Sequence, residues 1–366
     1  MSDLIQFSQI EGKYGNIGRI TLNNPKSLNA LNIEMIDAIQ NALDECENNQ
    51  NIKAVFIDSN SEKAFCAGGD VIGLYNSMKE TAEGEIPQMA MEFFRKEYHQ
   101  DYRLHIFPKP VIAWGNGIVM GGGIGVMSAC SHRIVTEKSM LAMPEVTIGL
   151  YPDVAASWFF NRMPANIGMF LGITGARMNA ADAIYCKLAD FFVLDEYKDE
   201  FITELSEVDW KNPNCDIQNA LESLMDFSRD DTPLSNLQEN YKQIQYLFRH
   251  CDLEKSVKEL KEMQPKTKWL ELTQKAFLKG CPVTYKLVDE QIKRAKYLSL
   301  KEVFEMEFIM STRCAMNPDL QEGIRALLVD KDGNPQWTVN SVAEISNEQT
   351  ELFFTAPWSE GKNLFN

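Results

Sequence analysis

Between residues 4 and 193 the sequence alternates short β-branched runs, glycine-bearing loops and amphipathic stretches, and this alternation limits the possible folds more than any other feature. Residues 4–10 and 17–22 read as strands around the turn cluster Gly12, Gly15 and Gly18. Ile33, Ile36, Ile39 and Leu43 recur at helical spacing as far as Cys46. Residues 54–57 form a compact apolar strand, and a loop at 65–70 leads into helices that run to about Ile106, where Pro108 and Pro110 stop them. A strand at 111–114, a glycine-dense loop at 115–123, a small-residue helix at 124–130 and a strand at 133–135 follow. Parallel strands need long crossovers, so strands separated by helices predict an α/β fold. From about Leu194 the pattern turns helical and polar, punctuated by Pro213, Pro233, Pro265 and Pro282. The expected division is an α/β core over 1–195 and a mainly helical region over 196–366.

Several function classes drop out on composition. No apolar run approaches the roughly 20 residues that span a bilayer; residues 118–127 come nearest and are broken by glycine. The 36 basic and 52 acidic residues leave a net charge of −16, which argues against a nucleic-acid surface. Eight cysteines without a C-x-x-C pair read as reduced, buried small residues, and four histidines without ligand spacing predict no metal. The N-terminus lacks a signal or transit pattern, so the expected location is cytoplasmic, or the mitochondrial matrix if a transit peptide is missing. One stretch, residues 253–301, carries twelve Lys or Arg against six Asp or Glu. It reads either as solvated helix faces or as a patch for a ligand's phosphates.

The common nucleotide and hydrolase signatures are missing: there is no G-x-G-x-x-G, no G-x-x-x-x-G-K-[ST] and no G-x-S-x-G. Two glycine loops remain, Ala67-Gly68-Gly69-Asp70 and Gly121-Gly122-Gly123, each running from a strand region into a helix. Each is explained by a tight turn; together they can aim two backbone N–H groups at one carbonyl oxygen, as an oxyanion hole does. Glu145 and Asp153 lie in the largely apolar segment 143–153. Burial there raises a carboxyl pKa and a second carboxylate raises it further, which suits acid–base or nucleophilic work. The plainer readings are an ordinary ion pair for Glu145 and a helix N-cap for Asp153.

In order, Pro25-Lys26-Ser27-Leu28-Asn29-Ala30-Leu31, Lys63-Ala64-Phe65-Cys66-Ala67-Gly68-Gly69-Asp70, Asn116-Gly117 with Met120-Gly121-Gly122-Gly123, and Met143-Pro144-Glu145 with Gly149-Leu150 resemble the crotonase (enoyl-CoA hydratase/isomerase) superfamily. Phe93-Phe94-Arg95-Lys96-Glu97-Tyr98, Gly149-Leu150-Tyr151-Pro152-Asp153 and the string from Glu322 to Asp332 are similar to its branch of hydrolases acting on short branched 3-hydroxyacyl-CoA thioesters. The resemblance implies a crotonase-like spiral of ββα units with a helical C-terminal region. It also implies 3-hydroxyisobutyryl-CoA, an intermediate of valine breakdown, as substrate, with coenzyme A part of the substrate and no separate cofactor. A homo-oligomer is compatible with it. By this resemblance Ala67 and Gly122 supply the oxyanion donors, Glu145 and Asp153 are the catalytic carboxylates, and Glu97 contacts substrate. Asn29 and Ala30 line the nucleotide part of coenzyme A, and Gly68, Gly69, Asp70 and Gly121 complete the binding loops.

One departure separates the possible reactions. Superfamily hydratases carry a glutamate three positions after the central glycine of the second loop, and here that position is Gly125. Hydration needs one group for the water and another for the α-carbon, whereas thioester hydrolysis needs only Glu145 and polarisation of the carbonyl. An enoyl-CoA isomerase with one glutamate and a non-catalytic acyl-CoA-binding relative are the alternatives.

Overall fold

After an opening hairpin, each pass of the chain lays down one long strand, then one very short strand, then a helix or helical turn. The computed structural model describes residues 2–359 and 362–365. Its strands are β1 (Ile5–Ile10), β2 (Asn16–Leu22), β3 (Ile52–Ser59), β4 (Ala64–Cys66), β5 (Val111–Gly115), β6 (Ile118–Met120), β7 (His132–Val135), β8 (Met140–Ala142) and β9 (Phe191–Phe192). The longer strands and the two-residue β9 form a sheet in the order β1-β2-β3-β5-β7-β9, and the three-residue strands form a second sheet, β4-β6-β8. Only β1 and β2 pair antiparallel in the first sheet; β2 with β3, β3 with β5, β5 with β7 and β7 with β9 are parallel. The units β3-β4-helix Val71–Glu80, β5-β6-helix Gly122–Ala129 and β7-β8-turn Glu145–Ile148 are the ββα repeats of the expected spiral.

The three-residue strands lie in or beside stretches that the sequence presents as loops, because three residues carry no readable period. Gly117, at φ 65°, lets β6 start against the chain entering β4: a Cβ there would lie 2.4 Å from the Lys63 carbonyl oxygen. That close approach lets β6 begin beside β4, its partner in the short sheet.

The chain divides into two interleaved units, the first made of residues up to Gly69, Gln100–Leu141 and Met178–Gln238, the second of Asp70–His99, Ala142–Arg177 and residues from Glu239 on. In the first, Phe56, Ile112, Trp114 and Ile134 of the sheet pack on Phe201 and Leu205 of the helix Lys198–Glu207 and on Ile217, Leu221 and Leu224 of the helix Pro213–Ser228. Trp114 stacks on Phe201 with ring centroids 6.0 Å apart. Burying each such side chain contributes about 1.5–3 kcal/mol, which ties these helices to the sheet. The expected boundary near 195 therefore does not divide the structure, since residues 196–238 complete the sheet's unit and 142–177 join the C-terminal helices.

In the second unit, the helix Pro318–Ile324 lies against the turn Glu145–Ile148. Gly323 permits the approach, because a Cβ there would fall 2.3 Å from the Ile148 carbonyl oxygen. Gly149, at φ 79°, would meet the Asp319 carbonyl oxygen at 2.4 Å. The Cys281 N–H donates to Val146 O at 2.9 Å, a third restraint on the same turn. Arg325 then ties the far side of this support together through Glu322, Asp330 and Asp332. Gly323→Ala overpacks that contact and is expected to lower stability by about 1–3 kcal/mol, read as a reduced urea midpoint. An unchanged midpoint would show the contact to be slack.

Candidate active site

The first unit supplies hydrogen-bond donors. Because β4 and β6 run parallel and adjacent, the loops that follow them leave from the same end of the short sheet. Gly68 (φ 113°) and Gly121 (φ 49°) make the turns, and Gly123 brings the next helix so close that a Cβ would lie 2.2 Å from the Cys66 carbonyl oxygen. The Ala67 N–H, expected as an oxyanion donor, is already spent on Leu28 O at 3.0 Å. The half-buried Gly69 N–H takes no backbone partner among the described residues, so the open donor in this loop is two residues further on. Gly122 opens the helix Gly122–Ala129, so its N–H has no intrahelical acceptor. Gly125 sits in the same first turn, its N–H donating to Gly121 O at 3.1 Å, with no acid at this position.

Two expected substrate contacts have structural duties instead. Asn29 is fully buried at φ 57°; its Oδ1 accepts from the Asn24 N–H at 2.7 Å and its Nδ2 donates to Ser59 Oγ at 2.8 Å and Phe65 O at 3.1 Å. Its side chain is a staple under the Ala67 loop and is not available to a nucleotide, whereas neighbouring Ala30 is partly exposed. Asp70 caps the helix Val71–Glu80, its Oδ1 accepting from the Gly73 N–H at 3.1 Å.

The second unit holds the carboxylates. Glu145 and Asp153 are 7% and 5% exposed. Burial first, and then the Asp153 charge, push the Glu145 carboxyl well above its ordinary value. Burial raises Asp153 to about 6, with the Tyr98 hydroxyl at 2.6 Å from Oδ2 pulling the other way. The ion-pair reading of Glu145 fails among the described residues: its Oε2 is buried with no hydrogen-bond partner there. The N-cap reading of Asp153 fails too, since Ala155 occupies that place at φ 70° before the helix Ala156–Phe160. Glu97 is buried on the same helix as Tyr98, Gln88–His105.

The sequence did not single out what surrounds Asp153. Tyr98 and Tyr151 lie in quoted strings without an assigned role, and Ser311 and Glu307 of the helix Leu300–Ala315 carry no motif at all. Of the basic residues in 253–301, Lys255, Lys268, Lys275, Lys293 and Arg294 are ion-paired with nearby acids, as solvated helix faces are. Among the described residues no group of His, Cys, Asp or Glu could hold a metal ion, and no helix is long and apolar enough to cross a membrane.

The pattern described as Enoyl-CoA hydratase/isomerase matches residues 17–354. The chain belongs to this family. The mitochondrial 3-hydroxyisobutyryl-CoA hydrolase of Danio rerio is 35% identical over 346 residues, 94% of this chain and 88% of that protein. The Homo sapiens protein of the same name is 33% identical over 344 residues, 93% and 87% of the two chains. Among solved structures, a carnitinyl-CoA dehydratase from Mycobacterium thermoresistibile superposes with a TM-score of 0.85 at 29% identity, covering 99% of this chain and 98% of that one. An enoyl-CoA hydratase from Rhodobacter sphaeroides gives 0.83 at 30% identity, covering 97% and 98%. The fold and the hydrolase likeness expected from the motifs are thus both found.

Raised carboxyl pKa values make stability depend on pH with a definite sign. A group whose folded pKa lies above its unfolded value stabilises below the unfolded pKa, and the contribution is lost as pH rises through the folded one. For Glu145 the loss begins near the ordinary 4.5 and continues upward. Glu145→Gln removes this burden, so its urea midpoint is expected to exceed that of the unaltered protein at pH 8 and to match it near pH 4. A difference that does not change with pH would contradict the buried, unpaired state of Glu145.

Proposed function

We propose that this enzyme hydrolyses 3-hydroxyisobutyryl-CoA to 3-hydroxyisobutyrate and free coenzyme A. The observation that carries the reading is the acid pair itself: Glu145 has its second carboxylate at Asp153, while the hydratase position in the glycine-loop helix is Gly125. Relatives named for this hydrolysis align along nearly the whole chain.

In this mechanism the N–H groups of Gly69 and Gly122 polarise the thioester oxygen and stabilise the charge it gains; one such donor is worth roughly 3 to 4 kcal/mol. Glu145 acts on the carbonyl carbon, either by attacking it to form an anhydride that water then opens, or by taking a proton from the attacking water. In both routes the C–S electron pair leaves with sulfur, and Asp153 gives that thiolate a proton. Water supplies the oxygen and hydrogens that balance the two products. Glu97 receives the substrate's 3-hydroxyl, so thioesters lacking it forgo that hydrogen bond and are turned over less well. The chain around Ala30 borders the nucleotide of coenzyme A. The relatives bearing this name are mitochondrial, and we place the reaction in the mitochondrial matrix, which cell fractionation tests.

Hydration or dehydration of an acyl-CoA is the second reading, favoured by how the two similar solved structures are described. It lacks its second acid at Gly125. Glu145→Gln should cut thiol release from 3-hydroxyisobutyryl-CoA by at least about 100-fold. Turnover close to that of the unaltered enzyme would remove Glu145 from the chemistry.

A further inference from the structure

Asp153 stands at one end of a buried file of hydroxyl groups in the second unit. Its Oδ2 lies 2.6 Å from Tyr98 Oη, which lies 2.6 Å from Ser311 Oγ. Ser311 Oγ lies 2.8 Å from Tyr151 Oη, and Tyr151 Oη lies 2.7 Å from the main-chain oxygen of Glu307. Tyr98, Tyr151 and Ser311 are completely buried, so solvent does not interrupt the file.

Counting protons gives the file a direction. It contains four oxygen–oxygen contacts, every one short enough to need a hydrogen, and its three hydroxyls supply three. The far end is a carbonyl, which can only accept. If Asp153 is ionised, Tyr98 donates to it and one of the remaining contacts becomes two lone pairs facing each other in a dry interior. If Asp153 is protonated, it donates to Tyr98, Tyr98 to Ser311, Ser311 to Tyr151 and Tyr151 to Glu307 O, and every contact is made. A missing hydrogen bond between buried groups is unfavourable, so the file favours the neutral acid.

The geometry points to a specific role, and we infer that Tyr98, Ser311 and Tyr151 are positioning residues that assign the proton shared by the Glu145–Asp153 pair to Asp153. Glu145 is thereby left ionised to act on the thioester. The inference rests on the reading that this pair does the chemistry. Two like charges buried together hold one proton between them over a wide pH range, and the carboxyl that keeps it becomes the acid.

Taken singly, the Tyr98 bond favours an ionised Asp153 and the Asp153 charge raises Glu145, so it is the hydrogen count over the whole file that places the proton on Asp153. Glu145 faces it from the turn Glu145–Ile148, Tyr98 from the helix Gln88–His105, Tyr151 from its own segment, and Glu307 and Cys314 from the helix Leu300–Ala315. Burial raises the tyrosine and cysteine groups, which therefore stay neutral. Glu307 also fixes the segment mechanically. Its carboxylate accepts from the Ala155 N–H at 2.7 Å and the Ser157 N–H at 3.0 Å. These bonds hold the left-handed pair Val154 (φ 51°) and Ala155 (φ 70°), and the Gln291 amide donates to Pro152 O at 2.9 Å just before Asp153.

The test is the pH profile of kcat/KM for thiol release from 3-hydroxyisobutyryl-CoA, using the full chain and its Tyr151→Phe, Ser311→Ala and Ser311→Thr variants. On the alkaline side the profile should fall as Asp153 loses its proton, and Asp153→Asn should abolish that limb. Ser311→Ala and Tyr151→Phe, which leave Tyr98 donating to an ionised Asp153, are expected to move it down by about one pH unit or more while leaving the acid limb in place. Ser311→Thr, which keeps a hydroxyl, should move it back. Tyr151→Phe preserves the ring and carries the test if Ser311→Ala does not fold. A uniform drop with both limbs unmoved, or a parent enzyme without an alkaline limb, overturns the inference. Thiol release surviving in Glu145→Gln would instead overturn the underlying reading, whatever the hydroxyl variants do.

Discussion

Keeping Glu145 and Asp153 out of water next to one another is unfavourable unless the surrounding chain holds them there, and much of the second unit is arranged to do so. Desolvation pushes both groups toward the neutral form, and the Asp153 charge adds to it for Glu145. The turn that carries Glu145 cannot relax away, because Gly149 and Gly323 bring the chain around Asp319 and the helix Pro318–Ile324 into main-chain contact with it. Asp319 is itself fixed by Thr338, whose N–H and hydroxyl donate to its two carboxylate oxygens at 2.8 and 2.9 Å. The string from Glu322 to Asp332 thus serves the site from a distance. It supplies no reacting group, yet it supports the turn that presents one.

The legible parts of the fold were those with enough residues to show a period. The long strands and the helix Ile33–Asn48 stand close to where β-branched runs and apolar spacing put them. The second sheet was not legible, because β4, β6 and β8 have three residues each and depend on Gly117 and parallel neighbours far along the chain. The break at 195 failed for a related reason. A change from strands to helices marks a change of element, whereas the unit is decided by burial, and Phe201, Leu221 and Leu224 are buried against the sheet.

At the site, residue type and order located the glycine loops and both buried acids but misplaced finer duties. Ala67 and Gly69 cannot be told apart as donors until the Leu28 carbonyl is seen to occupy one of them. Asn29 looks like a ligand residue in a string, but its positive φ and four side-chain partners show it to be a staple. Ser311 and Glu307 were out of reach of any motif, since they meet Tyr98, Tyr151 and the Asp153 segment only through the packing of a distant helix. The family scaffold serves several acyl-CoA reactions, and here the choice turns on a glycine at 125 and an aspartate at 153.

The most direct measurement incubates the purified enzyme with 3-hydroxyisobutyryl-CoA and quantifies free thiol and unsaturated acyl-CoA in the same sample over time. Hydrolysis by a lone Glu145–Asp153 pair predicts one thiol for each thioester consumed and no unsaturated product. Accumulation of the enoyl thioester without thiol would contradict it, and would mean that this scaffold dehydrates without the acid missing at Gly125.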